Sequence, residues 1–132
     1  MQRAVVEAIR AGVASSAHDC SEGGLGIALA ECCLAGGIGA SVFLPDDLAP
    51  AVSLFSETQS RIVVTCAPER ADALVAICDA HQVPFSVIGT VGGDALTFND
   101  EIRFPLGRLR EAYEGTLPRY VGSAEAVAGA PE

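Results

Sequence analysis

Apolar and polar positions along the chain switch between helical and extended periods. Over residues 2–11, Val5, Ala8 and Ile9 form one helical stripe, and Gly12 is a stop. Residues 13–18 predict a short strand. Over 25–34, Leu25, Ala28, Leu29 and Cys32 share a helical face that Gly36 and Gly37 end. Residues 39–44 read as a strand closed by Pro45, 46–53 as loop, and 54–59 as a short helical turn. Ile62, Val63 and Val64 within 60–66 predict a strand buried on both faces. Pro68 and Glu69 open a third helix with Ala71, Leu74, Val75 and Cys78 inward, ending near His81. Residues 85–91 look like a strand, Gly89 to Asp94 like a hairpin turn, and 95–98 like the next strand. Asn99-Asp100 marks a further tight turn before a strand at 102–104. Residues 105–115 form a last helix striped by Leu106, Leu109 and Tyr113.

This alternation predicts an α/β (α+β) sandwich, with helices packed on a mixed β-sheet. The 132 residues fit one domain, placed at 1–121, with a small acidic tail over 122–132 that frays. Half of the residues are hydrophobic, enough for a core and too many for a disordered chain. Eight basic against 17 acidic residues give a net charge of −9, which argues against nucleic acid or an anionic membrane as partner. Five cysteines without a C-x-x-C pair read as free thiols in a reducing cytoplasm. No secretory signal or membrane-spanning run is legible, so a cytoplasmic location is expected.

Two polar segments can carry chemistry. His18-Asp19-Cys20-Ser21-Glu22-Gly23-Gly24-Leu25 lies between a strand and a helix. A helix start offers free N–H groups to an anion, and glycines let a ligand approach the backbone closely. The plainer reading is capping by Asp19 or Ser21, with Asp19 and Glu22 at capping-box spacing. Asp19 and Glu22 also suit Mg²⁺. Cys20 at a helix start gains thiolate character, yet no Cys-His nucleophile signature surrounds it. The second segment, Phe55-Ser56-Glu57-Thr58-Gln59-Ser60-Arg61, precedes the strand at 60–66. Arg61 can fork onto a phosphate or carboxylate, or Glu57 and Arg61 can pair with each other. His18 and His81 have no partner at an informative spacing; the helix dipole accounts for His81.

Taken with Ile88-Gly89-Thr90-Val91-Gly92-Gly93, these segments resemble the C-terminal part of the synthetase subunit of the phosphoribosylformylglycinamidine synthase family. That family belongs to the aminoimidazole-ribonucleotide-synthetase-like (AIR-synthase-like) superfamily, and the resemblance runs over residues 2–120. The family usually has Asp at the position of Glu22 and often Ser at that of Thr58. The resemblance implies a ligase of purine biosynthesis. With ATP and Mg²⁺ it activates the amide oxygen of formylglycinamide ribonucleotide, and glutamine-derived ammonia then gives the amidine. It implies partners in the N-terminal domains of the same subunit and in a glutaminase subunit or domain, and no activity for the chain alone. It places a nucleotide- or phosphate-binding shell at Asp19, Ser21, Gly23, Gly24, Glu57, Thr58, Gln59 and Arg61. For the second of the subunit's two domain copies, which this chain resembles, the resemblance implies one of two roles: an inherited shell around a structural nucleotide site, or the working shell. No residue is assigned catalysis or a metal. Two other readings are a phosphorylated-ligand or nucleotide-binding module, and a structural assembly domain that self-associates through an exposed apolar face.

Overall fold

The computed structural model describes residues 1–45 and 48–115. The chain order is α1 (Gln2–Arg10), β1 (Ser16–Asp19), α2 (Gly24–Gly36), β2 (Ala40–Val42), α3 (Pro50–Phe55) and β3 (Ile62–Thr65). A short 3-10 turn (Pro68–Arg70) leads into α4 (Ala71–Ala80), followed by β4 (Gly89–Val91), β5 (Ala95–Phe98) and β6 (Ile102–Pro105). Residues 106–115 are helical and are called α5. The tail expected over 122–132 lies outside the described residues.

The strands form two sheets. β1 and β3 make an antiparallel ladder with Asp19 opposite Ile62. The other four run β4-β2-β5-β6, with β2 and β5 parallel and the outer pairs antiparallel. This is the mixed sheet of the expected sandwich. α2 touches β1, β3 and β5, and so joins the two sheets. Leu25, Ala28, Leu29 and Cys33 of α2 meet Ala40, Val42, Leu96, Phe98, Leu54 and Cys20 in the core. Leu106 and Leu109 of α5 pack against the rim of this cluster.

Several expectations change in the fold. α1 buries Ala4 and Ala8, not the stripe through Ile9, because small side chains let the helix approach α4 closely. On α2 the fully buried thiol is Cys33, and Cys32 is half-buried. The loop expected over 46–53 contains the start of α3, where Pro50 occupies the first turn and needs no N–H partner. Residues 56–59, expected in a helical turn, are not helical. β3 is half-buried throughout, because it belongs to a two-stranded ladder and not to a sandwich centre. Of the stretch 85–91, only Gly89–Val91 pairs as a strand.

Gly89 to Asp94 is not a hairpin turn, since β2 lies between β4 and β5. The loop passes over the end of β2 instead, with Gly92 N–H donating to Gly39 O (2.8 Å) and Gly39 N–H to Gly93 O (2.9 Å). A Cβ at Gly39 would lie 2.2 Å from the carbonyl oxygen of Ala95, so only glycine lets β2 and β5 close here. The Asn99-Asp100 turn is present. Both residues are left-handed (φ 51° and 57°), and Glu101 N–H closes onto Phe98 O at 3.0 Å. The Asn99 side chain accepts from Leu44 N–H at 2.8 Å and so fixes the chain leaving β2.

Gly39→Ala is expected to destabilise the domain by about 2–3 kcal/mol in urea unfolding, as overpacking does. Gly92→Ala, where a Cβ meets nothing within 4 Å, is expected to change stability by less than about 1 kcal/mol.

Candidate functional site

The β1–β3 ladder continues past its last strand pair. Cys20 N–H donates to Arg61 O at 2.9 Å, and Gly23 N–H donates to Glu57 Oε1 at 2.8 Å. The two polar segments therefore run side by side and meet at the start of α2. Gly23 and Gly24 are both left-handed (φ 79° and 67°). A Cβ at Gly24 would lie 2.8 Å from the carbonyl oxygens of both Leu54 and Ser56, and one at Gly26 would meet the Phe55 ring at 3.3 Å. α2 thus packs backbone to backbone against the end of α3.

Capping follows a different route from the one the spacing suggests. Gly23 is the N-cap of α2, and no side chain of the Asp19–Glu22 turn caps it. A carboxylate does reach the helix start, but it is that of Glu57, 34 residues along the chain. It stands against the positive end of the helix dipole. Ser21 contributes its backbone oxygen, which accepts from Gly24 N–H at 3.3 Å.

Glu57 and Arg61 do not pair with each other among the described residues. Arg61 Nη1 donates to Ser56 O and to Ser56 Oγ, both at 3.2 Å. The left-handed Ser60 (φ 66°) precedes it in the same loop. Arg61 thus ties the 56–61 loop into a closed unit. Asp19, Ser21, Glu57, Thr58 and Gln59 are exposed around this junction, while Gly24 is buried beneath it. The side chains of Asp19, Thr58 and Gln59 make no hydrogen bond among the described residues. The structure therefore brings all eight predicted positions to one place, with Gly24 and Arg61 acting as framework.

Both histidines have partners that sequence spacing does not reveal. His18 Nε2 lies 3.3 Å from Glu31 Oε2 on α2, with Nδ1 2.7 Å from Asp19 O. His81 Nε2 lies 2.6 Å from Glu7 Oε2, linking the end of α4 to α1. The first pair joins the consecutive elements β1 and α2, and the second joins elements 74 residues apart. Tyr113 Oη donates to Glu31 Oε1 at 3.5 Å, adding α5 to the first pair.

Burial pushes the Cys20 thiol above its ordinary value, the Arg61 guanidinium opposes this, and the Asp19 carboxylate adds to it. The helix start does not make it a thiolate, and Cys32 and Cys33 are likewise raised by burial. No group of three or more His, Cys, Asp or Glu side chains is placed to hold a metal among the described residues. Two surface concavities lie elsewhere, one along α1 and one between Leu54 and Phe98. No helix among the described residues is long and apolar enough to cross a membrane.

The sequence pattern of the AIR synthase related protein C-terminal domain matches residues 1–99. The chain belongs to this family. It is similar to the phosphoribosylformylglycinamidine synthase subunit PurL of Thermobifida fusca, with 47% identity over 124 residues, 92% of this chain and 16% of that protein. Against the same subunit of Moorella thermoacetica it is 52% identical over 96 residues, 73% of this chain and 13% of that one. The fold superposes on the Thermotoga maritima PurLQS structure with a TM-score of 0.72 and 26% identity, covering 81% of this chain and 20% of that one. For T. maritima PurL complexed with AMPPCP the TM-score is 0.70 at 27% identity, with the same coverage. This AIR synthase related domain spans about one sixth of the length of the curated relatives it matches.

Glu57→Ala is expected to lower stability by about 0.5–1 kcal/mol in urea unfolding, the worth of a carboxylate at a helix start. Gly24→Ala is expected to cost about 3 kcal/mol, from left-handed strain plus the carbonyl clash. The raised thiols have a signed consequence. The folded state holds them protonated, so stability is full below the ordinary thiol value of about 8.5 and falls as pH climbs above it. Iodoacetamide labelling read by mass spectrometry at pH 8 should modify Cys20 far more slowly in the folded chain than in urea.

Proposed function

We propose that this chain is the C-terminal domain of a PurL-type synthetase and works only within it. The whole enzyme would use ATP and Mg²⁺ to activate the amide oxygen of formylglycinamide ribonucleotide, and ammonia would then complete the amidine. The observation that carries this reading is the junction at Gly23–Glu57, where the two family-like polar segments meet in a chain 47% identical to PurL over 92% of its length. The domains preceding this one in the subunit, and a glutaminase delivering ammonia, are the partners the reading requires.

The residues have a limited repertoire at this junction. Exposed carboxylates at Asp19 and Glu57 suit hydroxyl and amide groups, as on a ribose or a glycinamide, and repel phosphate. Thr58 and Gln59 add neutral donors and acceptors beside them. Arg61 is engaged with Ser56, and the sequence contains no lysine. Phosphoryl transfer depends on positioning and on cations that neutralise charge. Those cations, and the Mg²⁺ site, would come from the preceding domains. When bound, Mg²⁺ would neutralise the ATP phosphates. The part of this chain is to hold and orient the hydroxyl and amide groups of a ligand.

The test is a chimera in which this chain replaces the matching segment of the T. fusca subunit, assayed for ammonia- and ATP-dependent amidine formation. The chimera should turn over within about tenfold of the parent, and Gln59→Ala should reduce turnover by about tenfold or more without loss of fold. The isolated chain should show no turnover. Amidine made by the 132 residues alone, or a folded chimera without activity, would overturn the reading.

A further inference from the structure

The inner face of α1 is made of alanines, and its larger residues face outward. Val6 and Ile9 are 44% and 53% exposed, whereas Ala4 and Ala8 are buried. A shallow groove of about 630 Å³ runs along this helix, lined by Arg3, Val6, Glu7, Arg10 and His81 among others. Glu7 is engaged by His81, which commits that carboxylate to α4. Arg3, Arg10 and, on the 3-10 turn, Arg70 make no ion pair or side-chain hydrogen bond among the described residues, while Arg103, Arg108 and Arg110 each pair with a carboxylate. Two uncommitted guanidinium groups on one groove stand out in a chain of net charge −9.

Their spacing is specific. Seven residues separate Arg3 from Arg10, which puts them two helical turns or about 10 Å apart on one face, with Val6 between them. We infer that this face of α1 is the docking surface for an acidic helix of the synthetase portion that this chain lacks. That helix would carry two carboxylates about two turns apart, flanking an apolar side chain that seats on Val6. Two features of the surface support this: the apolar Val6 presented outward in the groove, as an anchor position in helix-in-groove recognition, and guanidinium groups at both ends that an acidic partner would complement. The chain also spans only about one sixth of its relatives, so most of the surface available to cover α1 belongs to the rest of such a subunit. The inference rests on the proposed function.

The chimera tests it with readouts separate from turnover. In the isolated chain, Arg3→Glu with Arg10→Glu should lower the melting temperature by only a few degrees, through loss of Arg10 from the last turn of α1 and repulsion with Glu7, because neither side chain has an ion-pair or hydrogen-bond partner among the described residues. In the chimera the native arginines should give one melting transition. The double variant should split it in two and speed proteolysis at the domain junction about tenfold at low salt. Arg3→Gln with Arg10→Gln should give a smaller effect, and the difference from the parent should shrink in high salt. Identical melting and proteolysis for the parent and the Glu variant would overturn the inference. So would an equal loss of stability in the isolated chain. A chimera inactive with its native arginines, yet melting as one unit that the Glu variant splits, would count against the proposed function alone.

Discussion

The contact on which the rest of the structure depends is the backbone approach of Gly24 to the carbonyls of Leu54 and Ser56. It leaves no room for a side chain and needs a left-handed residue, so glycine alone satisfies both demands. From it follow the short reach of Glu57 to Gly23, the extension of the β1–β3 ladder through Cys20 and Arg61, and the seat of α3 against α2. α2 in turn carries Leu25 and Leu29 into the core beside Leu96 and Phe98, coupling the polar junction to the four-stranded sheet. The polar chemistry and the apolar core therefore share one helix, with its N-terminus serving the first and its body the second.

How much of this is legible in sequence depends on how local each cause is. The helices at 2–10, 24–36 and 71–80 follow from apolar spacing and from glycine or proline punctuation, all within a few residues. The Asn99-Asp100 turn is equally local, since both residues tolerate left-handed backbone. What spacing misses is set at a distance. The side chain that reaches the start of α2 is Glu57 rather than Asp19 or Ser21, and it comes from a loop 34 residues away. The partners of His18 and His81 come from other helices. The run Ile62-Val63-Val64 looks like a sandwich centre, but pairs in a two-stranded ladder whose burial is only partial. Gly92-Gly93 looks like a hairpin because a sequence does not show that a third strand will enter between its arms. The two polar segments are grouped by family resemblance alone, and their hydrogen bonding has no counterpart in spacing.

The charge distribution divides the surface. Carboxylates gather around the Gly23–Glu57 junction, while Arg61 is spent internally as a loop tie. Of the arginines without a partner among the described residues, Arg3 and Arg10 lie on α1 and Arg70 on the 3-10 turn. Exposed carboxylates therefore flank the start of α2, while two exposed guanidinium groups flank Val6 on α1.

The position of β2 has a consequence for how the chain is made. Its three residues pair with β4 on one side and β5 on the other, and Ala40 lies opposite Val91 and Leu96. Both partners are about fifty residues downstream, so closing the sheet is a non-local step that slows folding. During synthesis, β1, α2 and β3 can assemble around Gly24 as soon as they emerge. Ala40 to Val42 must wait, apolar and unpaired, until residues near 98 have left the ribosome. The domain is thus born in two stages, and the interval between them is when it most needs shelter from aggregation.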